Sequence, residues 1–211
     1  MRPDATVDTE NTGYPRKRRQ TRRRLINAGT VVLAEHGPRH VTAGQVAAVA
    51  EVAPGTFYNH FPSVDELIDA VAHDLGRGIE IGRDTLNQIE HDPRQRVAIG
   101  VLQLLQMAED DPASASAFVT LAAVLPEFRA RVRGIVGQAI REGVEAGCFD
   151  VPPGPAATNA VLGATLQAMR SRLLDESGQT DAIDLARLVL RLLGVTDIDP
   201  LVDQALIATR P

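Results

Sequence analysis

Apolar residues recur along this chain at spacings of three and four, and almost nowhere at two. From Thr21 onward, Leu25, Ala28, Val32 and Leu33 mark one face of a helix. His36-Gly37-Pro38 then stops it, with a glycine just past the end and a proline that cannot continue the turn. Segments of the same period fill 63–91, 94–110, 113–125, 127–147, 155–176 and 180–194, separated by Pro, Gly or Asp-Pro breaks. No stretch alternates convincingly with period two, and no Asn-Gly or Asp-Gly dipeptide marks a hairpin. The pattern predicts an all-α chain. Residues 1–15, with Pro3, Gly13 and Pro15 among scattered polar positions, predict disorder.

The information is densest between Val41 and Leu67. Thr42-Ala43-Gly44-Gln45 has the spacing of a capping box, and Val41 and Val46 occupy the two positions of a hydrophobic staple. The helix they open is expected to run to about Ala50 and to bury Val46, Ala47 and Val49. Glu51-Val52-Ala53 then forms a short turn, and Pro54 suits the first position of a second short helix reaching about His60. Phe57 and Phe61, four apart, face a core, whereas Tyr58 points elsewhere and is expected to be wet. Gly55 and Thr56 would present amides at the helix start. Ser63-Val64-Asp65-Glu66 is a second capping box, opening a long helix at Leu67, Ile68 and Val71. Two short helices joined by a tight turn and flanked by longer ones are a helix-turn-helix, whose second helix fits a DNA major groove.

Charge supports that reading at one end only. Residues 1–60 carry nine basic against five acidic residues, while the rest carries thirteen against twenty-two, so the overall charge of -5 hides a polarised chain. Seven of the nine residues from Arg16 to Arg24 are basic. Such a run often only solvates a terminus, but beside a periodic segment it suits a polyanion.

Val41-Thr42 through Ala47, Val52-Ala53-Pro54-Gly55-Thr56-Phe57-Tyr58-Asn59-His60-Phe61, and Ser63 through Leu67 resemble the N-terminal domain of TetR-family transcriptional regulators. The resemblance implies a homodimer whose second short helix reads a palindromic operator in double-stranded DNA. It implies phosphate contacts from Thr42, Thr56, Tyr58 and His60, and base-edge positions for Ala43, Gly44, Pro54, Gly55 and Asn59. Arg22 and Arg23 of the basic run join the expected DNA-binding set. The chain departs from the family pattern at three places. Glu51 stands where glycine is usual, in a turn suited to positive φ. Ala53 replaces the Ser or Thr that caps the reading helix, a change worth about 0.5–2 kcal/mol. Val64 replaces a lysine that commonly touches phosphate.

The expected organisation is a disordered basic arm over 1–17, the helix-turn-helix domain over 18–77, and an α-helical effector-binding and dimerising domain over 78–211. In 155–176 the small residues Ala156, Ala160, Gly163, Ala164 and Ala168 run beside an apolar row of Leu162, Leu166, Met169 and Leu173. The segment 180–194 is apolar on most of its circumference, and such a helix must be covered twice. By the resemblance these two helices pair with their copies, placing Leu162, Leu166, Leu188 and Leu192 in a dimer interface. Met107, Phe118, Phe128 and Met169 are the expected walls of an effector pocket, with Gln103 and Arg170 as polar groups that could orient a ligand; a filled core is the plainer reading of each wall.

Composition excludes other classes. Aromatics are 3% of the chain, which argues against an aromatic cage for a planar or cationic ligand. One cysteine, Cys148, leaves neither a disulfide framework nor a zinc cluster. The five histidines lack metal-ligand spacing, and no nucleophile elbow, P-loop or dinucleotide fingerprint occurs. Neither a cofactor, a bound metal nor catalysis is expected. The absence of a long apolar run predicts a cytoplasmic protein without a membrane partner. The expected function is that of a repressor released from its operator by a small, largely apolar effector. The alternative is a constitutive or architectural DNA binder without an effector.

Overall fold

The structure, a computed structural model, describes residues 13–89, 92–175 and 181–209. Among these residues it holds ten α-helices, one 3₁₀ turn and no strand. The chain divides into two compact units, 1–71 and 72–211. The division falls inside a helix, six residues before the expected boundary at 77.

In the first unit, α1 (Gly13–His36) buries Leu25, Ile26, Ala28, Val32 and Leu33 along one side. Its start corrects one expectation: residues 13–17 belong to a helix, so the basic run 16–24 lies on α1 rather than on a disordered arm. Residues 1–12 of that arm lie outside the described residues. Gly37 ends α1 at φ +72°, a conformation that disfavours any side chain, and Pro38–His40 forms the 3₁₀ turn.

Then come α2 (Ala43–Val49), α3 (Pro54–Tyr58) and α4 (Val64–Ile89), which continues into the second unit. Val41, Val46, Phe57, Phe61 and Leu67 are buried, each large aromatic contributing about 2–3 kcal/mol by leaving water. Val49 departs from expectation. It sits on the outer side of α2 at 48% exposure, because the inner stripe of a seven-residue helix is already filled by Val46 and Ala47. Gly29 lets α1 approach α4 closely, since a Cβ there would meet Leu67 Cδ2 at 2.9 Å.

The second unit is a helical bundle in which α5 (Pro93–Asp110) packs against α6 (Pro112–Val124), α7 (Pro126–Glu145), α8 (Pro155–Leu173), α9 (Ala182–Leu192) and α10 (Asp199–Thr209). Prolines open α5 to α8, where the missing N–H costs nothing. Asp92, Asp111 and Asp181 cap α5, α6 and α9 by accepting backbone N–H groups. The core is Leu105, Phe118, Leu121, Ile140, Met169, Leu190 and Leu193. α10 lies beyond the last segment expected from periodicity. Ile198, Leu201, Val202 and Ala205 bury it, although only Leu201, Val202 and Ala205 lie on its eleven residues.

Candidate nucleic-acid interface

The capping box forms as the spacing implies. Gln45 N–H donates to Thr42 Oγ1 at 3.3 Å, and Thr42 N–H donates to Gln45 Oε1 at 2.9 Å, fixing the entry into α2. At its other end, Val52 N–H donates to Ala47 O at 3.0 Å and Glu51 N–H to Ala48 O at 3.1 Å. That pair of bonds is a Schellman ending, which needs a left-handed residue at Glu51. Glu51 accordingly takes φ +52°, a strain of roughly 1–2 kcal/mol for a residue with a Cβ.

Arg24 reaches this turn from α1. Its Nη2 donates to Ala50 O at 2.6 Å and lies 3.6 Å from the Glu51 carboxylate. One charge of the basic run thus holds the turn between the two short helices, a role the sequence pattern did not assign.

After the turn, Ala53 precedes α3 in an extended conformation and makes no side-chain cap, as its methyl requires. Thr56 N–H instead donates to Ala53 O at 2.8 Å, so the expectation of a free amide at Thr56 is corrected. Pro54, Gly55, Tyr58 and Asn59 are exposed, Tyr58 at 62%, while Thr56 and His60 are half-buried. Thr42 and Gly44 are exposed at the start of α2, and Ala43 is half-buried. A Cβ built at Gly44 or Gly55 would meet no atom within 4 Å, so neither glycine is demanded by internal packing. At the other end of the motif, Ser63 Oγ accepts from Glu66 N–H at 3.2 Å and starts α4.

The beginning of α1 runs beside the end of this motif. The Arg22 guanidinium lies 4.8 Å from the centroid of the Phe61 ring, and Arg23 is exposed. His60 holds its proton less tightly than an ordinary histidine, first through partial burial and then through the charges of Arg18 and Arg22.

The effector candidates scatter. Phe118 and Phe128 are buried and meet edge-to-face at 5.3 Å, and Met169 is fully buried, so all three are packed core. Met107 is half-buried, whereas Gln103 and Arg170 are exposed and face away from that core. The second unit instead holds a cleft of about 200 Å³ bordered by Leu102, Gln106, Glu109, Arg172, Ile183 and Leu206. Arg172 donates to the Glu109 carboxylate there. These two residues stand 63 apart in sequence, and no local pattern joins them.

The interface candidates divide as well. Leu188 and Leu192, four apart on α9, are 53% and 37% exposed, while Leu185, Val189 and Leu190 fill the core. Leu162 is buried within its own unit, which corrects its expected place in an interface, whereas Leu166 is half-buried. The exposed row of α8 is instead Ala156, Ala160, Gly163 and Gln167.

Elsewhere in the second unit, Arg131 on α7 donates to both oxygens of Glu80 on α4 at 2.8 and 3.0 Å. The paired guanidinium holds the Glu80 carboxyl below its ordinary range. Among the described residues, no helix is long and apolar enough to cross a membrane, and no group of three or more His, Cys, Asp or Glu could hold a metal ion.

An exposed second helix set by a capped first helix and a Schellman turn defines a helix-turn-helix DNA-binding regulator. The comparisons specify which kind. Residues 25–71 match the family model of bacterial regulatory proteins of the tetR family, and residues 92–200 match the tetracyclin repressor-like C-terminal domain. The chain belongs to the TetR family. No curated protein matches it. Among solved structures, RolR without ligand is 25% identical, with 90% of this chain and 97% of that one covered and a TM-score of 0.63. RolR in complex with resorcinol is 27% identical, with coverages of 93% and 97% and a TM-score of 0.60. The fatty acid degradation regulator FadR from Bacillus halodurans shares the fold at 22% identity, with coverages of 82% and 94% and a TM-score of 0.64.

Proposed function

We propose that this regulator is a repressor that binds a two-fold-symmetric operator as a homodimer and is released by a small, largely apolar effector. The exposure of Tyr58 and Asn59 at the end of α3, beside a cationic α1, carries the DNA half of this reading. Asn59 and the small residues Ala43, Gly44, Pro54 and Gly55 approach base edges. Thr42, Thr56, Tyr58, His60, Arg22 and Arg23 approach the backbone. The reading domain extends through 18–77, and 78–211 serves effector binding and dimerisation.

Leu188 and Leu192 support the dimer, since an exposed leucine pair four apart beside a row of small residues on α8 is a surface that gains by being covered twice. The effector half rests on the similarity to RolR, a protein solved both without ligand and with resorcinol; the cleft at Arg172, bordered by Gln106, Glu109 and Asp181 as well as leucines, would add polar contacts to such a ligand. Control would pass along α4, which supplies Leu67 to the core under α3 and Glu80 to the ion pair with α7. A tilt of that helix changes the distance between two reading helices while the groove spacing stays fixed. The expected coupling is roughly 1–3 kcal/mol and reciprocal.

Selection of duplexes from random DNA by the intact protein tests the reading. A two-fold-symmetric sequence with half-sites about one helical turn apart is expected. Enrichment of a single asymmetric site overturns the symmetric dimer. A thermal-shift screen then tests release, since a ligand stabilises by RT ln(1 + [L]/Kd). A protein that no small molecule stabilises would be a constitutive binder instead.

A further inference from the structure

We propose that the cleft between α5, α8, α9 and α10 binds a compact, neutral ring carrying two hydroxyl groups, and that Glu109 selects hydroxyl donors there against anions. The inference rests on the effector reading above and narrows it to one site and one chemical class.

The cleft has an apolar side and a polar side. Leu102, Ile183 and Leu206 supply the first, from α5, α9 and α10. Its volume is about 200 Å³. A cavity of about 150 Å³ already admits benzene, so there is room here for one substituted ring and little more.

The polar side decides what the ring must carry. Gln106 and Glu109 lie on one side of α5, Arg172 comes from the end of α8, and Asp181 precedes α9. The donors among them already serve acidic partners. Arg172 donates to Glu109, and the Gln106 amide donates to Asp110 at 3.0 Å and to Glu109 at 3.5 Å. Asp181 spends one oxygen on the N–H groups of Ile183 and Asp184, at 2.7 and 3.3 Å, and a carboxylate has capacity beyond those two bonds. The cleft therefore offers a ligand chiefly acceptors: two carboxylates and the Gln106 carbonyl. Acceptors call for O–H groups on the ligand.

The same residues set the ligand's own charge. One guanidinium stands against two carboxylates, so an acid entering the cleft meets net negative charge. To reach Arg172 it must also separate the pair with Glu109, and the mostly buried guanidinium loses one partner as it gains another. A neutral alcohol or phenol leaves that pair intact. An ammonium group faces a different difficulty. It must shed water against an apolar wall, and among the described residues no aromatic face lines the cleft to receive it.

Three molecules built on one 4-hydroxyphenyl ring test the class. They are 2-(4-hydroxyphenyl)ethanol, 4-hydroxyphenylacetate and tyramine, which end in a neutral hydroxyl, an anion and a cation. Calorimetry with the full chain should show binding of the alcohol, and an affinity at least about tenfold lower for the other two. Leu206→Trp, which fills the cleft from α10, should abolish binding of the alcohol, whereas Asp203→Asn, on the exposed side of α10, should leave it unchanged. Glu109→Gln removes one carboxylate and frees the guanidinium, so the acid should then bind more tightly than the alcohol. A folding defect cannot produce that reversal. An unchanged order in Glu109→Gln overturns the selecting role of Glu109, and a wild type that prefers the acid or the amine overturns the class. If Leu206→Trp binds the alcohol as tightly as the wild type, the site is overturned and the effector reading stands. If none of the three binds, the proposal falls, and the effector reading falls with it only when the thermal-shift screen also finds no ligand.

Discussion

Arg24 donates to the carbonyl of Ala50 at 2.6 Å, across 26 residues of chain, and so ties the first helix to the turn that precedes the reading helix. The bond satisfies a carbonyl at the end of α2 and sets a positive charge beside Glu51, the residue held at φ +52°. Two substitutions should therefore act in opposite directions. Arg24→Ala should cost about 1 kcal/mol, a charge-assisted bond discounted for its half-exposed side chain. Glu51→Gly should stabilise by up to about 1 kcal/mol, because glycine accepts positive φ without strain. Urea midpoints measure both, and a less stable Glu51→Gly protein would refute the strain assigned to this turn.

Asn59 is exposed at the end of α3 and is the polar side chain best suited to a base edge. Asn59→Ala should cost about 1–3 kcal/mol on the selected duplex and relax preference at one or two base pairs. Binding to competing sequences distinguishes the alternatives. An equal loss on every sequence would assign Asn59 to the backbone.

Leu188 and Leu192 should leave water in the dimer. Glutamate at either position would bury a charge without a partner, so Leu188→Glu and Leu192→Glu should give monomers by light scattering. Because both side chains are partly exposed within their own subunit, the monomers should keep the helical signal of the wild type. Two well-associated dimers would move the interface elsewhere.

Stability should respond to pH in two separate windows. His60 is pushed below its ordinary value of 6.5, so the folded state binds fewer protons there than the unfolded chain. Its effect is absent above that value and destabilises progressively as the pH falls below it. His60→Gln should remove that decline. Glu80 and Asp92 are pushed down by Arg131 and Arg94, so their contributions persist above the ordinary carboxylate values and disappear as the pH falls through the depressed ones. Urea midpoints across the neutral and acid ranges should show both steps. A His60→Gln protein with an unchanged neutral-to-acid decline would contradict the first.

The bidentate pair between Arg131 and Glu80 joins α7 to the far part of α4, one turn from Phe128 in the packed core. Arg131→Met should reduce the coupling between effector and operator. Operator affinity measured with and without a ligand found by thermal shift gives that coupling. An undiminished ratio would exclude this pair from the route of control.

The local signals in the sequence translated directly into structure because each is satisfied within a few residues. Thr42 and Gln45 cap one another across one helical turn, Pro54 starts α3, and Gly37 ends α1. Phe57 and Phe61 are core and Tyr58 is exposed, as a helical spacing of four against one requires. The likeness of the 41–67 segment to the TetR family rests on such short-range features, and the helical period gave the order of the remaining elements up to α9. What the sequence left open depends on partners far along the chain. Whether an arginine in the run 16–24 meets DNA, a ring or a carbonyl is set by the face of α1 on which it falls, and only packing reveals that Arg24 reaches Ala50 while Arg22 covers Phe61. The same holds for the cleft: Gln103 and Arg170 looked like polar groups near apolar stretches, yet both turn outward, and the pair that lines it, Glu109 and Arg172, meets only when α5 and α8 pack. Periodicity fixes which residues share a side of one helix. Which sides meet is decided by the shapes that fill the space between them.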